Sequence, residues 1–294
     1  MNVLLTSATD FLGSKVLNSL INDYHSLSSA SFKVTILKRS FFNLSRIGSV
    51  LDKIDFFDLD KAPLKELFVD RSFDLIIHCA TNYGRSHESK LNTLESTLFL
   101  PLQLIELGLE NGLKYFINTD TVLDKRVSEY LLSKNQFYDW FNSYHNLLTC
   151  INVKLEHLCG AFGNDTKFIT KIMIELRSGS VFVDLTSGKQ KRDFIYVDDV
   201  VSVFHTIIMN LDKMSVDIYN FEIGNDKTTP IKDVVAGNAF NVGGGMANSL
   251  SLLELFDYFN PKFDISLKYK NLPPRESDQL VFVADTIKIE NKTG

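Results

Sequence analysis

An α/β fold with a parallel, doubly wound sheet is predicted by the order of apolar runs and helical segments. Four short apolar or β-branched runs have the character of strands: residues 3–6, 33–37, 75–78 and 115–118. Segments with helical periodicity follow, as over residues 93–109 and 128–144. Strands that alternate with helices indicate a parallel sheet. The continuous apolar run Leu75-Ile76-Ile77 fits a strand that is buried on both faces. These observations predict a Rossmann-type fold.

Two regions of the chain differ in composition and suggest two parts of the molecule. With 45% hydrophobic and 23% charged residues, the chain of 294 residues can bury a large core. Beyond about residue 155 the elements become shorter and richer in Gly and Thr. We therefore expect a Rossmann domain over residues 1–155. Residues 156–294 are expected to form mainly a smaller C-terminal lobe, with strands that return to the sheet.

Charge and hydropathy exclude several classes of partner. The net charge of −5 is spread along the chain without a basic block, which argues against nucleic acid and against an anionic membrane surface. No apolar stretch is long enough to span a bilayer, and the start Met1-Asn2-Val3 lacks the basic region of a signal peptide. We predict a cytoplasmic protein with a small-molecule substrate. Neither the three Cys nor the six His residues have metal-site spacing, so no metal is expected.

One segment is echoed later in the chain. Residues 219–224, Tyr-Asn-Phe-Glu-Ile-Gly, are followed 19 residues later by residues 238–243, Asn-Ala-Phe-Asn-Val-Gly. Each copy has the pattern of a strand, a Gly turn and the start of an amphipathic helix. Two explanations stay open: chance similarity between short βα units, or an in-frame junction near residue 236 that carries one element twice.

The turn after the first strand, residues 7–13, is the predicted pyrophosphate site. A dinucleotide-binding fold places glycines at the first, fourth and seventh positions of this turn, where this chain has Ser7, Asp10 and Gly13. Only the glycine for helix-to-strand packing is kept. Asp10 brings a carboxylate to the place of two phosphates, unless it serves as a helix N-cap. The predicted cofactor-binding residues of this turn are Ser7, Thr9, Asp10, Phe11, Leu12 and Gly13.

The ends of the next strands suggest which dinucleotide is bound. Arg39 follows the second strand, where a guanidinium fits the 2′-phosphate of NADP and an acidic residue would fit NAD. This favours NADPH, although Arg39 could also be a solvated strand end. Asp58 could accept from the adenine amino group or could be an ordinary turn residue. Near His78, which we interpret as a packed residue, the backbone at Ala80 is expected to line the cofactor cleft.

A Tyr and a Lys four residues apart form the predicted catalytic pair. Tyr130 and Lys134 lie in a helical segment and so share one helix face. The Lys134 ammonium can hold the nicotinamide ribose and lower the pKa of the Tyr130 phenol, which can then exchange a proton with a substrate oxygen. The preceding strand leads to Thr119-Asp120-Thr121. Thr119 is the first choice for a hydroxyl near the same oxygen and Thr121 the second, with structural capping as the alternative.

Two arginines are candidates for a diphosphate. Arg275 follows Pro273-Pro274 on a stiffened loop, and its guanidinium fork suits a diphosphate. Arg192 precedes Asp193, so a structural ion pair is an equal alternative.

At these residues the chain resembles nucleotide-sugar enzymes of the extended short-chain dehydrogenase/reductase superfamily, also called the NAD-dependent epimerase/dehydratase family. Residues 1 to about 235 resemble CDP-paratose and CDP-abequose synthases, through residues 80–85, 153–157 with 160–162, and 185–194. Residues from about 237 resemble CDP-tyvelose epimerases, through residues 237–244, 248–256 and 275–279. The echoed segment falls at this changeover, as a recombination join would explain.

The resemblance implies NADPH-dependent reduction of the 4-keto group of CDP-4-keto-3,6-dideoxyglucose, for bacterial O-antigen sugars. It assigns catalysis to Tyr130 and Lys134 with Thr119 or Thr121. The implied substrate-binding residues are Tyr83, Arg85, His157, Arg192 and Arg275. The departures are Ser7 and Asp10 in place of glycines, and Thr97 where Asn is common. Two alternatives therefore stay open, a catalytically impaired relic and a CDP-sugar epimerase, and a homodimer is also open.

Overall fold

The structure is a computed structural model that divides into two compact units. It describes residues 1–22, 32–84, 89–121, 128–155, 157–163, 167–178, 182–185, 187–192, 194–223, 239–242, 249–264, 268–271 and 281–282. The first unit comprises Met1–Lys154, Val201–Phe221 and Pro230–Ala239. The second comprises Leu155–Val200, Glu222–Thr229 and Phe240–Gly294.

Strands and helices alternate through the first half of the chain. The strands are β1 (Asn2–Thr6), β2 (Lys33–Lys38), β3 (Asp55–Asp58), β4 (Leu75–His78), β5 (Tyr115–Thr121), β6 (Thr149–Leu155), β7 (His157–Cys159), β8 (Phe182–Leu185), β9 (Lys191–Arg192), β10 (Phe194–Tyr196), β11 (Ile218–Ile223), β12 (Ala239–Val242), β13 (Leu250–Ser251), β14 (Lys268–Asn271) and β15 (Val281–Phe282). The α-helices are α1 (Phe11–Asn22), α2 (Lys90–Leu94), α3 (Leu100–Glu110), α4 (Glu129–Asn142), α5 (Phe168–Arg177), α6 (Val197–Met209) and α7 (Leu252–Phe263). A π-helical segment, Glu95–Phe99, joins α2 to α3, and 3₁₀ segments span Ser45–Lys53, Leu64–Phe68 and Leu211–Lys213.

The main sheet has the strand order β12-β11-β6-β5-β4-β1-β2-β3. β1 lies between β2 and β4 and is parallel to both. β2 is parallel to β3, and β4 is parallel to β5. The order turns at β1, because the chain first moves outward to β3 and then crosses back to β4. This arrangement confirms the predicted doubly wound α/β fold.

The first unit has an apolar core between its sheet and helices. One cluster of buried side chains includes Leu4, Ile76, Leu104, Ile105, Phe116, Phe137, Phe141 and Cys150. The Phe137 and Phe141 rings of α4 stack with centroids 5.4 Å apart, and Phe141 lies 5.5 Å from Phe116 of β5. Such aromatic burial contributes about 1.5–3 kcal/mol per side chain. The helix that carries Tyr130 and Lys134 is thereby held firmly on the sheet.

Two elements extend beyond the predicted boundaries. β5 continues to Thr121, whereas the apolar pattern ended at residue 118. Its polar end stays in the sheet because side chains bond across strands, as where Asn118 Nδ2 donates to Asn152 Oδ1 at 2.8 Å. The predicted helix over 93–109 begins earlier, at Lys90, where the Ser89 hydroxyl accepts from the Leu91 N–H. Both differences arise from side-chain hydrogen bonds that apolar periodicity does not register.

The second unit consists of short elements around a smaller core. β7 is parallel to β10, and β8 is parallel to β14. β9 lies between β13 and β15. The buried side chains of the core are Ile172, Val183, Leu255 and Phe256. The helix α7 begins with a capping box formed by Ser251 and Glu254.

The echoed segments form strands in both copies, β11 and β12. The helix expected after the first copy, over residues 231–235, lies outside the described residues. Within the described part of the chain, no helix is long and apolar enough to cross a membrane. The same residues contain no group of three His, Cys, Asp or Glu side chains placed to hold a metal ion.

Candidate active site

The turn after β1 brings a side chain into a backbone conformation that suits glycine. Ser7 has a φ of 55°, in the left-handed region, where a residue with a Cβ is disfavoured by about 1–2 kcal/mol. Its hydroxyl donates to Asp10 Oδ2 at 2.6 Å, so the two residues that replace glycines bond to each other. The turn keeps the glycine-type geometry without the glycine.

Gly13 is required for the approach of α1 to this turn. A Cβ on Gly13 would lie 2.2 Å from the Ser7 carbonyl oxygen and 2.8 Å from its carbon, distances that no side chain can occupy. The packing of helix on strand at Gly13 is as the sequence indicated. Thr9 and Phe11 are buried, Leu12 is half-buried and Asp10 is exposed just before α1 begins.

Ion pairs form at the ends of β2 and β3, where the adenosine ribose of a dinucleotide is expected to bind. Arg39 Nη1 lies 3.0 Å from Asp60 Oδ1, and Lys38 Nζ lies 2.8 Å from Asp58 Oδ2. The hydrogen bond from Lys38 is the main cause that lowers the pKa of Asp58 to about 2. Asp58 is therefore ionised at neutral pH, and the structure uses it to bind Lys38 rather than leaving it as a simple turn residue.

The end of β4 is tied to β1 by one threonine hydroxyl. The backbone N–H groups of Cys79 and Ala80 both donate to Thr6 Oγ1, at 3.1 and 3.0 Å. With two N–H groups donating to it, this hydroxyl donates its own proton to His78 Nδ1, 3.2 Å away. His78 is fully buried, and burial, with Lys134 nearby, lowers its pKa well below 6.5. His78 is packed, as expected, and neutral at physiological pH, while the Thr6 hydroxyl holds the strand end that carries Ala80.

Lys134 is an ionisable group buried in the first unit. Its side chain is 1% exposed, and Nζ donates to the Thr119 carbonyl at 2.7 Å. Burial lowers the pKa of Lys134 to about 8, although nearby Asp120 acts in the opposite direction. An ammonium has three N–H donors. The Thr119 carbonyl takes one of them, which leaves donor capacity for a ligand's hydroxyl groups.

The two candidate hydroxyls on β5 differ in their surroundings. Thr119 is buried, and its hydroxyl donates to the His78 carbonyl at 3.0 Å. Thr121 is the last residue of β5 and is half-buried. The Thr119 proton is thus used between two strands. A catalytic role for Thr119, the first choice from sequence, or for Thr121, the second, stays a prediction.

Tyr130 lies in the first turn of the helix that carries Lys134. It is the second residue of α4, whose N-cap Ser128 accepts from the Leu131 N–H. The Tyr130 ring lies 4.8 Å from the ring of Tyr83, centroid to centroid, at an angle of 55°. Tyr83 is 46% exposed. The structure thus brings together the predicted catalytic tyrosine and a predicted substrate-binding tyrosine.

Several residues of this site were missed by sequence reasoning. Asp120 accepts from Asn152 Nδ2 at 2.9 Å and supplies negative charge to Lys134. Ser133 and Thr97 have their hydroxyl oxygens 2.6 Å apart in the core. Asp60 binds Arg39. Thr97 was noted as a departure, but its partner lies 36 residues away. No local signal in the sequence identifies such pairs.

In the second unit, His157 and Arg192 lie close together with Lys167. Burial, then Arg192 and then Lys167, lower the pKa of His157 to about 4, so its ring is neutral at physiological pH. The ring packs edge-on against Phe194, with centroids 6.0 Å apart. Arg192 Nη1 donates to the Lys191 carbonyl at 2.9 Å. Lys167, at the N-cap of α5, is an additional cation that sequence analysis did not single out. Arg85 and Arg275 lie outside the described residues.

A Rossmann-type unit with a tight turn after β1 and a buried lysine four residues after a tyrosine defines a dinucleotide-dependent α/β enzyme. The model of the NAD dependent epimerase/dehydratase family matches residues 3–221. The chain belongs to this family, and the resemblance predicted from its motifs is confirmed.

Curated relatives include nucleotide-sugar enzymes of the predicted kind. CDP-abequose synthase of Salmonella muenchen is 29% identical over 241 residues, which cover 79% of this chain and 78% of that protein. CDP-paratose 2-epimerase of Salmonella typhi is 38% identical over 120 residues, 40% of this chain and 29% of that protein. Among solved structures, UDP-glucose 4-epimerase of Thermotoga maritima matches with a TM-score of 0.75 at 17% identity, covering 99% of this chain and 92% of that one. The last similarity supports the fold.

Proposed function

We propose that this protein uses NADPH to reduce the 4-keto group of CDP-4-keto-3,6-dideoxyglucose, giving CDP-paratose or CDP-abequose for O-antigen synthesis. The observation that carries the proposal is the buried Lys134, placed on one helix face with Tyr130 in a chain similar to a CDP-abequose synthase over most of its length. A buried cation beside a potential proton donor is typical of a catalytic site.

Features of the first unit fit a nicotinamide dinucleotide. Gly13 lets α1 approach the turn after β1 closely enough to direct its N-terminus toward a pyrophosphate. Lys134 has N–H donors beyond the one that binds the Thr119 carbonyl, and these suit ribose hydroxyls. The backbone at Ala80 is held by Thr6 at the end of a central strand, which is where ligands of doubly wound sheets bind.

Residues of the protein would donate the proton that the reduction requires and stabilise the group that loses it. When bound, NADPH supplies two electrons and the hydrogen that becomes attached to C4. Tyr130 gives its phenolic proton to the carbonyl oxygen, which becomes the C4 hydroxyl. The Lys134 ammonium stabilises the resulting phenolate, and the hydroxyl of Thr119 or Thr121 donates a hydrogen bond to the reacting oxygen. The pKa of about 8 keeps most of Lys134 charged at neutral pH.

The positive charges of the second unit are suited to binding an anionic substrate. Arg192 and Lys167 both act on His157 as positive charges. Cations of this kind bind a diphosphate well, and arginine does so with two parallel hydrogen bonds. His157 is neutral and would contribute a hydrogen bond rather than a charge. These residues are consistent with the CDP moiety of the proposed substrate.

Two alternatives each have an observation in their favour. The higher identity to a CDP-paratose 2-epimerase over a shorter segment favours a CDP-sugar epimerase. The Ser7 and Asp10 pair in the phosphate turn favours a relic with poor dinucleotide binding. An epimerase returns the electrons to its substrate and consumes no net NADPH, while a relic consumes none at any substrate concentration.

The test is the stoichiometry of NADPH oxidation with CDP-4-keto-3,6-dideoxyglucose. We expect one NADPH oxidised per CDP-dideoxysugar formed. Tyr130→Phe keeps the ring and removes the proton, so turnover should fall by about 10²- to 10⁴-fold with little change in nucleotide-sugar affinity. Tyr138→Phe, on the same helix, should keep turnover within about twofold of the parent.

A Tyr130→Phe variant that keeps most of the parent rate would contradict the catalytic assignment. Product formation without net NADPH oxidation would favour the epimerase.

A further inference from the structure

Two basic and two acidic residues form a compact group at the carboxyl ends of β2 and β3. The register of this parallel pair places Lys38 opposite Asp58. Lys38 Nζ binds Asp58, as described above, with side chains that are only 17% and 10% exposed. Just beyond the strand ends, Arg39 and Asp60 form the second pair, which is more exposed, at 46% and 32%.

Asp60 uses both of its carboxylate oxygens on the segment that begins at Arg39. One oxygen, Oδ1, accepts from Arg39 Nη1 at 3.0 Å. The other, Oδ2, accepts from the backbone N–H of Ser40 at 2.8 Å. A guanidinium and an adjacent backbone N–H are the donors that would bind a phosphate monoester. Asp60 therefore occupies the donor set that a 2′-phosphate requires.

The position of Asp60 is set by the local backbone. The Leu59 N–H donates to the Lys38 carbonyl at 2.9 Å, and the Asp60 N–H donates to Asp58 Oδ1 at 3.1 Å. Asp58 in turn accepts from the Ser40 hydroxyl at 2.8 Å. The turn after β3 is thus held against the end of β2, and Asp60 is presented to Arg39 by several bonds rather than by one flexible contact.

We propose that Asp60 is a specificity-determining residue that competes with the 2′-phosphate of NADP for Arg39 and Ser40, and so weakens the preference for NADPH over NADH. A 2′-phosphate that binds Arg39 Nη1 and the Ser40 N–H competes with the Asp60 carboxylate at both donors. It must also approach two negative charges, because Asp58 stays ionised beside it. NADH lacks the phosphate and can bind while the Arg39–Asp60 pair stays intact. The inference rests on the proposed function, since it presumes that the dinucleotide binds at this end of the sheet.

The test is the affinity of the full-length protein for 2′,5′-ADP and for 5′-ADP, measured by calorimetry without any sugar substrate. We expect Asp60→Asn to tighten 2′,5′-ADP binding by about tenfold, equivalent to about 1.4 kcal/mol. Binding of 5′-ADP should stay within about twofold. Adding Arg39→Ala to Asp60→Asn should abolish the gain, because the freed guanidinium is what binds the phosphate.

Asp55→Asn is the matched control. Asp55 lies at the start of β3 and forms a surface ion pair with Lys33 at 3.4 Å, so this variant loses the same charge from an ion pair at the opposite end of that strand. Asp55→Asn should change neither the affinity for 2′,5′-ADP nor the affinity for 5′-ADP. An unchanged ratio of affinities in Asp60→Asn, or weaker 2′,5′-ADP binding, would overturn the role of Asp60 while the cofactor site stands. Binding of neither nucleotide to any variant would overturn both this role and the proposed cofactor site.

Discussion

The phosphate turn shows how single residues can keep a conformation while changing its chemistry. Ser7 adopts the left-handed backbone that glycine adopts freely, and its hydroxyl is bonded to Asp10. The hydrogen bond holds the Asp10 carboxylate at the turn, before the first residue of α1. A negative charge there opposes a pyrophosphate that the helix N-terminus would otherwise attract. The fold accommodates both residues, and we expect them to lower the affinity for the cofactor.

We therefore expect Ser7→Gly with Asp10→Gly to tighten NADPH binding by about thirtyfold to several hundredfold, if each change contributes about 1–2 kcal/mol. Relief of the left-handed serine and removal of the carboxylate act in the same direction. Calorimetry on parent and double variant measures the effect. Asp70→Gly removes an exposed carboxylate beside Asn2, at the start of β1, and should leave affinity unchanged. Equal or weaker binding in the double variant would remove the main support for the relic alternative.

At the scale of elements, a buried pair of hydroxyls joins α4 to the π-helical segment. Thr97 Oγ1 donates to the Thr93 carbonyl at 2.6 Å, and Ser133 Oγ lies 2.9 Å from the Tyr130 carbonyl. The two hydroxyl oxygens are 2.6 Å apart. The two hydroxyl protons are therefore shared among three contacts, one to each carbonyl and one between the hydroxyls. Ser133 directly precedes Lys134. The contact therefore fixes the first turns of α4, where Tyr130 and Lys134 lie, against the neighbouring helix.

Thr97→Val is expected to lower the free energy of unfolding by about 1–3 kcal/mol, because it keeps the shape but removes the buried hydroxyl that contacts Ser133 and the Thr93 carbonyl. Urea unfolding of Thr97→Val, Ser133→Ala and the double variant gives the coupling between the two sites, expected to be about 1 kcal/mol. Ser96→Ala, in the same π segment but half-buried, should cost less than about 0.5 kcal/mol. Full additivity of the two changes would show that the hydroxyls do not interact.

For the whole molecule, buried neutral histidines link stability to pH. The pKa of His78 is lowered by burial, and that of His157 is lowered to about 4. Between the folded-state pKa and the ordinary value of 6.5, the unfolded chain binds more protons than the folded chain. Stability therefore rises with pH across this window and falls as the pH drops below about 6.5.

As the pH falls from 6.5 to the folded-state pKa, each such histidine should lower the free energy of unfolding by up to about 1.4 kcal/mol per pH unit. His78→Asn keeps an acceptor for the Thr6 hydroxyl and removes the titrating ring, so the dependence should become shallower. Urea unfolding from pH 5 to 7 measures the slope. Identical slopes for parent and His78→Asn would contradict this account.

Local pattern determined much of this protein before any tertiary structure was considered. Apolar runs and helical periodicity predicted the α/β class, because strand and helix periods are properties of short segments. Gly13 and the four-residue spacing of Tyr130 and Lys134 could be identified for the same reason. The motif resemblance to the epimerase/dehydratase family also needed only the chain itself.

Only the tertiary structure decided the partners of these residues. Strand register brought Asp60 to Arg39 across 21 residues, turned the Thr119 hydroxyl to the His78 carbonyl and buried Lys134 beneath the end of β5. Sequence could not show that the Thr119 hydroxyl bonds to the His78 carbonyl or that Arg39 pairs with Asp60, since the partner of a hydroxyl or guanidinium is whichever group lies within about 3 Å. Burial and hydrogen-bond partners depend on residues far apart in the chain, so no local pattern contains them.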